Sequence, residues 1–259
     1  MQIKHFFLAP DHTLIGSYTV FLTETTSTND SLKLLFTNES LPDGTVMYTD
    51  FQVSGRGQQQ TVWESESCKN LLMSVLLLPV FLQADEQLWL NVCICLALRE
   101  TVEELSGIAA FIKWPNDIYC ADKKIAGILI ENVLQGNKIK YTIIGLGLNV
   151  NQNSFITNKA ISLALLCNKQ LDVNVVRKTV CKKLSYFYTK LKAKQWSSLW
   201  SLYHQYLYGR GNQAYFLWKG EKVEAQILGL DKLGRLHLLI MEEVRSFGNK
   251  EIEFLSLKK

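Results

Sequence analysis

Little in this chain suits a stapled, metal-built or membrane-embedded protein. Its six cysteines (Cys68, Cys93, Cys95, Cys120, Cys167 and Cys181) contain no CxxC pair, and there are only four histidines. A disulfide framework or a Cys/His metal cluster needs closer spacing than that, so these are expected to be reduced core thiols of a cytosolic protein. No apolar run approaches the ~18 residues of a membrane span, and the stretch Phe6–Pro10 is too short for a signal-peptide core. Nor is there a strong charge of one sign. The net charge is +4, from 28 basic and 24 acidic residues. The basic residues are scattered apart from short clusters such as Lys182–Lys183, which is a poor footprint for nucleic acid and suits anionic small molecules as well. Internal repeats and low-complexity linkers are absent.

What is present is an alternation of strand-like and helix-like segments, in 259 residues that are enough for one large domain and a small one. Thr45–Asp50 reads as a short strand, and Asn70–Leu78 is a strongly apolar run ending at Pro79. Glu86 to Leu105 is the clearest helix, ended by Gly107. Phe111–Trp114, Ile118–Cys120, Ile125–Val133 and Lys138–Val150 read as successive strands, and the tight polar turns between them predict antiparallel hairpins. Lys159–Asn168, Val173–Lys194 and Ser197–Tyr208 read as helices. Beyond Gly209 come short strands, Ala214–Trp218, Lys222–Leu228, Leu236–Ile240, Val244–Phe247 and Glu251–Leu255, in the pattern of a small β-barrel of SH3-like size. The expected boundary therefore lies between residues 1–208 and 209–259.

Chemistry concentrates in Lys113–Trp114–Pro115–Asn116–Asp117 and Lys124–Ile125–Ala126–Gly127–Ile128–Leu129. Two lysines, an amide and a carboxylate around one proline-fixed turn suit a site that handles a phosphate ester. Lys124 alone reads more often as a solvated turn lysine. Thr25 to Asp30 precedes an amphipathic segment and is either a helix N-cap or a polar ligand contact. Gly55–Arg56–Gly57 is either a flexible surface loop or a close backbone approach with an arginine for phosphate or carboxylate. Gly145–Leu146–Gly147–Leu148–Asn149 ends a buried run; its small residues either admit a flat ring, with the Asn149 amide beside it, or mark a bulge.

The order of these clusters, Ser27–Thr28–Asn29, Gly55–Arg56–Gly57, Trp63–Glu64–Ser65, KWPND at 113–117, KIAGILIE at 124–131 and GLGLNVN at 145–151, resembles the biotin protein ligases over residues 20 to 257. Gly229 to Leu236 is similar to a turn of that family's C-terminal β-domain. The resemblance implies an α+β fold: a mixed, largely antiparallel sheet with packed helices, class II synthetase-like, plus an SH3-like C-terminal barrel. With few residues before Ser27, the chain resembles the enzyme-only type without a DNA-binding winged helix. The implied reaction joins biotin and ATP into biotinyl-5′-AMP, then passes biotin to a lysine of a biotin carboxyl carrier domain. Under this resemblance Arg56 and Lys124 clamp the carboxylate and α-phosphate, and Lys113 helps hold phosphates. Asp117, with Asn116, holds Mg²⁺ directly or through water. Ser27, Thr28, Asn29, Gln52, Gly55 and Gly127 surround biotin. Gln58, Trp63, Gly145, Gly147 and Asn149 meet the adenylate, with Trp63 stacking on adenine.

Further expectations are a cytoplasmic protein, a monomer or weak homodimer, and no membrane or specific DNA partner. Two alternatives stand beside this reading. A lipoate or octanoate ligase or transferase of the same superfamily is opposed by KWPND, GLGLNVN and the β-tail. A non-catalytic biotin-binding homologue is opposed by the presence of Arg56, Asp117 and Lys124. One departure is Gly57–Gln58–Gln59–Gln60–Thr61–Val62, which lacks the arginines common in the family there. A loop from Gly55 to Val62 that orders over the adenylate, with Gln58 holding it less tightly than an arginine, is the expectation.

Overall fold

The computed structural model describes residues 6–8, 14–57 and 62–258. An eight-stranded mixed sheet carries the larger part, in the order β1-β2-β3-β4-β8-β7-β6-β5. The strands are β1 (Phe6–Leu8), β2 (Tyr18–Thr25), β3 (Val46–Gln52), β4 (Leu71–Leu77), β5 (Ala110–Lys113), β6 (Asp117–Cys120), β7 (Lys123–Gln135) and β8 (Lys138–Leu148). The predicted hairpins β5–β6, β6–β7 and β7–β8 are all antiparallel; the one parallel pair among the described residues, β2 with β3, flanks helix α1 (Thr28–Asn38). Every residue of β4 is buried, which explains its unbroken apolar run.

The two faces of this sheet are covered unequally. Leu71, Met73, Val75 and Leu77 of β4 join the main core, under helices α2 (Leu88–Ser106) and α4 (Val173–Lys192). Leu76, one pleat away, joins a smaller cluster with Leu32 and Leu35 of α1 and Ile143 of β8. Among the described residues α1 is the helix that packs on this second face, and the site forms at the strand ends beyond its N-terminus. Gly107 ends α2 as predicted, adopting φ of 71° in the left-handed region.

The remaining helices are α3 (Leu163–Cys167) and α5 (Trp196–Gln205). Lys159 to Ile161 are not helical, contrary to the expected helix over Lys159–Asn168. They run beside the β6–β7 turn instead, with the Lys124 N–H donating to Lys159 O at 2.9 Å and the Ile161 N–H to Lys124 O at 3.0 Å. The C-terminal strands β9 (Gln213–Trp218), β10 (Glu221–Leu230), β11 (Leu236–Ile240), β12 (Glu243–Phe247) and β13 (Glu253–Leu257) form a separate antiparallel sheet, consistent with an SH3-like unit. Its interior residues Phe216, Ile227 and Leu238 belong to the same hydrophobic core as Tyr203 and Leu207, so the two sheets are joined by apolar packing. All six cysteines are free thiols. Four are buried, while Cys167 is half-buried and Cys68 exposed; these two are not the core thiols expected.

Candidate active site

Strand register builds the floor of the site. Leu72 of β4 pairs with Gly147 of β8, Gly147 with Gly127 of β7, and Gly127 with Asp117 of β6. One row across four strands therefore runs from the core through two glycines to a carboxylate. The next row is Ser74, Gly145 and Leu129. With two glycines in one row and a third in the next, the sheet surface is a shallow trough, and above it lies a cleft of about 290 Å³.

The KWPND turn is held from three sides. Asn91 of α2 donates to Pro115 O at 3.0 Å. The Asn116 side-chain amide donates to Ile128 O, and the Ile128 N–H returns to Asn116 O at 3.1 Å. The Trp114 indole N–H reaches Gly234 O of the C-terminal sheet at 2.9 Å. This turn fixes Asp117 at the head of β6. Asp117 Oδ1 is 2.7 Å from Lys124 Nζ, and that ammonium lies 5.6 Å from the centre of the Trp63 ring. Trp63 lies flat on the glycine floor, where a Cβ at Gly147 would come within 2.4 Å of the indole and one at Gly127 within 3.0 Å. The flat ring that these small residues admit is thus the chain's own. Across the cleft the Arg56 guanidinium pairs with Asp30. The Trp63 N–H donates to Gly55 O at 2.8 Å, closing the base of the loop between them.

The inner wall is the start of α1. Ser27 is the N-cap, as one reading held, with its hydroxyl accepting from the Asp30 N–H at 3.4 Å, and it also lines the cleft. Thr28 N donates to Gln52 Oε1 at 2.8 Å, and Thr28 Oγ1 lies 3.0 Å from that same oxygen. Ser74 Oγ is 2.7 Å from Thr28 Oγ1 and 2.6 Å from Asn29 Oδ1, and Asn29 Nδ2 donates to Glu131 Oε2 at 2.6 Å.

Ser27, Thr28, Asn29, Gln52, Arg56, Trp63, Asn116, Asp117, Lys124, Gly127, Gly145 and Gly147 line one cleft. Gly55 supports its rim. Gln58 lies outside the described residues, as do the other residues of 58–61, so the expected loop closure is described only at its ends. Two residues stand elsewhere. Lys113 points to a neighbouring cavity at the junction with the C-terminal sheet, donating to the Tyr119 hydroxyl at 3.1 Å and lying 4.8 Å over the Phe254 ring. Burial lowers its pKa, and burial likewise raises that of Tyr119. Asn149 is spent on backbone: Nδ2 donates to Ile161 O at 3.1 Å, and its buried Oδ1 faces no partner. Sequence reasoning missed Asp30 as a partner of Arg56, and Ser74 and Glu131 behind the wall. Ser74 is a lone serine in an apolar strand, which was the available signal.

Fold and cleft together define an α+β ligase domain with an accessory β-domain. The biotin/lipoate A/B protein ligase family matches residues 21–149. The bifunctional ligase/repressor BirA of Bacillus subtilis (strain 168) is 31% identical over 222 residues, covering 83% of this chain and 68% of that protein. The biotin–protein ligase of Homo sapiens is 28% identical and covers 86% of this chain but 32% of its own. Among solved structures, the biotin protein ligase from Aquifex aeolicus in complex with biotin and ATP superposes with a TM-score of 0.77 at 28% identity, over 92% of this chain and 98% of that one. The chain belongs to this family, among its biotin protein ligases.

Proposed function

We propose that this chain activates biotin with ATP to biotinyl-5′-AMP and transfers it to a lysine of a biotin carboxyl carrier domain. The observation that carries this reading is the convergence of Arg56, Lys124 and Asp117 over a glycine floor closed by Trp63. A carboxylate attacking a phosphate brings two anions together, so the reaction needs cations placed before it starts. Both are held in place, by Asp30 and Asp117, and an entering anion exchanges these carboxylates for its own oxygens. Adenine stacks on the outer face of Trp63. Biotin's ring sits against Thr28 and Gln52. Residues 1–208 act as the ligase unit, with 209–259 as the accessory unit.

Magnesium fits the donor set in one form. Among the described residues no group of three acidic, histidine or cysteine side chains converges. Asp117 is a single carboxylate at the cleft, which Asn116 also lines, and this suits an ion that takes most of its ligands from phosphate and water. Bound there, the ion would neutralise charge on the polyphosphate. Mass spectrometry of a carrier domain incubated with this protein, biotin, ATP and Mg²⁺ tests the reading. The expected result is one biotinyl adduct on lysine; a lipoyl adduct in preference to biotin, or no adduct, overturns it.

A further inference from the structure

Glu131 stands outside both the cation clamp and the glycine floor, yet it terminates a chain of hydrogen bonds that begins in the cleft. We propose that Glu131 is a positioning residue: it sets the proton direction of the Thr28–Ser74–Asn29 chain and so presents Thr28 Oγ1 as an acceptor to a ureido N–H of biotin. This rests on the biotin-ligase reading of the same cleft.

A carboxylate at neutral pH only accepts, so the Asn29 amide must turn Nδ2 toward Glu131, at 2.6 Å. Asn29 Oδ1 then faces Ser74 Oγ at 2.6 Å. That oxygen carries no proton, so Ser74 donates to it. The Ser74 hydroxyl is also directed at Thr28 Oγ1, 2.7 Å away, so that oxygen accepts from it. The Thr28 N–H meanwhile fixes the Gln52 amide with its oxygen inward, at 2.8 Å. The Thr28 hydroxyl donates to Gln52 Oε1 at 3.0 Å, so the threonine's own proton is spent on the glutamine. Thr28, Asn29 and Ser74 are 3%, 3% and 0% exposed, so water does not rewire the chain from behind.

With its proton given to Gln52 and one lone pair facing Ser74, Thr28 Oγ1 keeps a second lone pair that can accept only from a donor such as a ring N–H. The Gln52 Nε2 group and the Ser27 hydroxyl remain to donate to the ring carbonyl. The polarity of the wall is thus complementary to a cyclic urea, and Glu131 is the only charged group in the chain that dictates it. Gly145 is the packing condition, because a Cβ there would lie 2.6 Å from Asn29 Oδ1.

The test is biotin-binding calorimetry on the full chain, with KM for ATP measured in parallel. Glu131→Leu is expected to weaken biotin binding roughly tenfold or more while KM for ATP stays within about twofold. Glu131→Gln keeps an amide oxygen for Asn29 Nδ2 and should recover most of that loss. Asn29→Asp sets carboxylate against carboxylate and should bind poorly; adding Glu131→Gln to it restores a donor–acceptor pair and should rescue it. The proposal is overturned if Glu131→Leu binds biotin as wild type does, if ATP and biotin weaken equally, or if the double variant is no better than Asn29→Asp. Should Glu131→Leu fail to fold, the Asn29→Asp pair of variants decides alone. Absence of biotin binding by wild type would instead remove the ligase reading beneath it.

Discussion

Lys124 Nζ and Asp117 Oδ1 face each other at 2.7 Å across the β6–β7 turn, with side chains 35% and 21% exposed. A half-exposed pair of this kind contributes about 0–1 kcal/mol to stability, so its value to the protein lies elsewhere. It holds an ammonium beside the glycine floor before any ligand arrives, which removes the cost of organising it during the reaction. Register explains why the pair forms: Asp117 lies opposite Gly127, and Lys124 sits at the bulge just before it.

Lys124→Ala should therefore fold normally and fail at the first chemical step. Loss of one preorganised donor to a developing phosphoryl charge costs about 3 kcal/mol, on the order of a hundredfold in rate. Biotin-dependent exchange of pyrophosphate into ATP reads this step directly, and a melting curve checks the fold. An exchange rate within about threefold of wild type would remove Lys124 from the clamp.

The route from sequence to site was legible where chemistry and period agreed. The three hairpins from Ala110 to Leu148 follow from alternating apolar residues and short polar turns, and they carry most of the floor. β2 was not legible: YTVFLTET lacks a clean period-2 alternation, and its partner β3 is parallel, reached only through α1. Side-chain direction was also hidden. Lys113 and Asp117 are register partners at the neck of one hairpin and share the cavity at the C-terminal sheet, yet only Asp117 also lines the cleft. Gly145 and Gly147 line the cleft, and a Cβ at either would also meet the chain's own Asn29 or Trp63, a close approach whose partner the sequence does not name. A glycine in a strand announces close approach, but not of what.

Trp114→Phe tests the link between the two sheets. The indole N–H is the bond from the KWPND turn to Gly234 O, so phenylalanine keeps the ring and strands the carbonyl. Destabilisation of about 1 kcal/mol is expected, a fall of roughly 2–4 °C in Tm for a chain of this size. Because Asp117 follows the turn, pyrophosphate exchange should fall as well. Unchanged Tm and unchanged exchange together would show that the bond does not brace the site.

Lys113 gives a pH dependence with a definite sign. Burial lowers its pKa in the folded state, partly offset by Asp117 and Glu253. Between that lowered value and the ordinary lysine value near ~10.4, the unfolded chain binds more protons than the folded one, so stability from this group rises with pH. Below the window the penalty for a buried ammonium is fully present. Lys113→Met should therefore raise Tm near neutrality, and the gain should shrink toward pH ~10. A Tm difference that stays constant across that range would mean the ammonium is not destabilised by its surroundings. If the variant also loses pyrophosphate exchange, Lys113 reaches the phosphates from its own cavity.

Two glycine substitutions, two residues apart and so in the same pleat direction, should separate the two ligands. A Cβ at Gly147 falls 2.4 Å from the Trp63 indole, while one at Gly145 falls 2.6 Å from Asn29 Oδ1. Neither glycine has a positive φ, so alanine strains no backbone and acts only through the neighbour it displaces. Overpacking of this kind costs typically about 1–3 kcal/mol. In Gly147→Ala the cheaper relief is to lift the half-buried Trp63 ring from the floor, so KM for ATP should rise about tenfold or more with biotin affinity little changed. In Gly145→Ala the relief is to push Asn29 off Ser74 and Glu131, so biotin affinity should fall by a similar factor with KM for ATP little changed. Calorimetry for biotin and pyrophosphate exchange at varied ATP measure the two effects on the same preparations. Equal loss of both ligands in both variants would show that the floor moves as one body and that the two rows of the sheet do not divide the site.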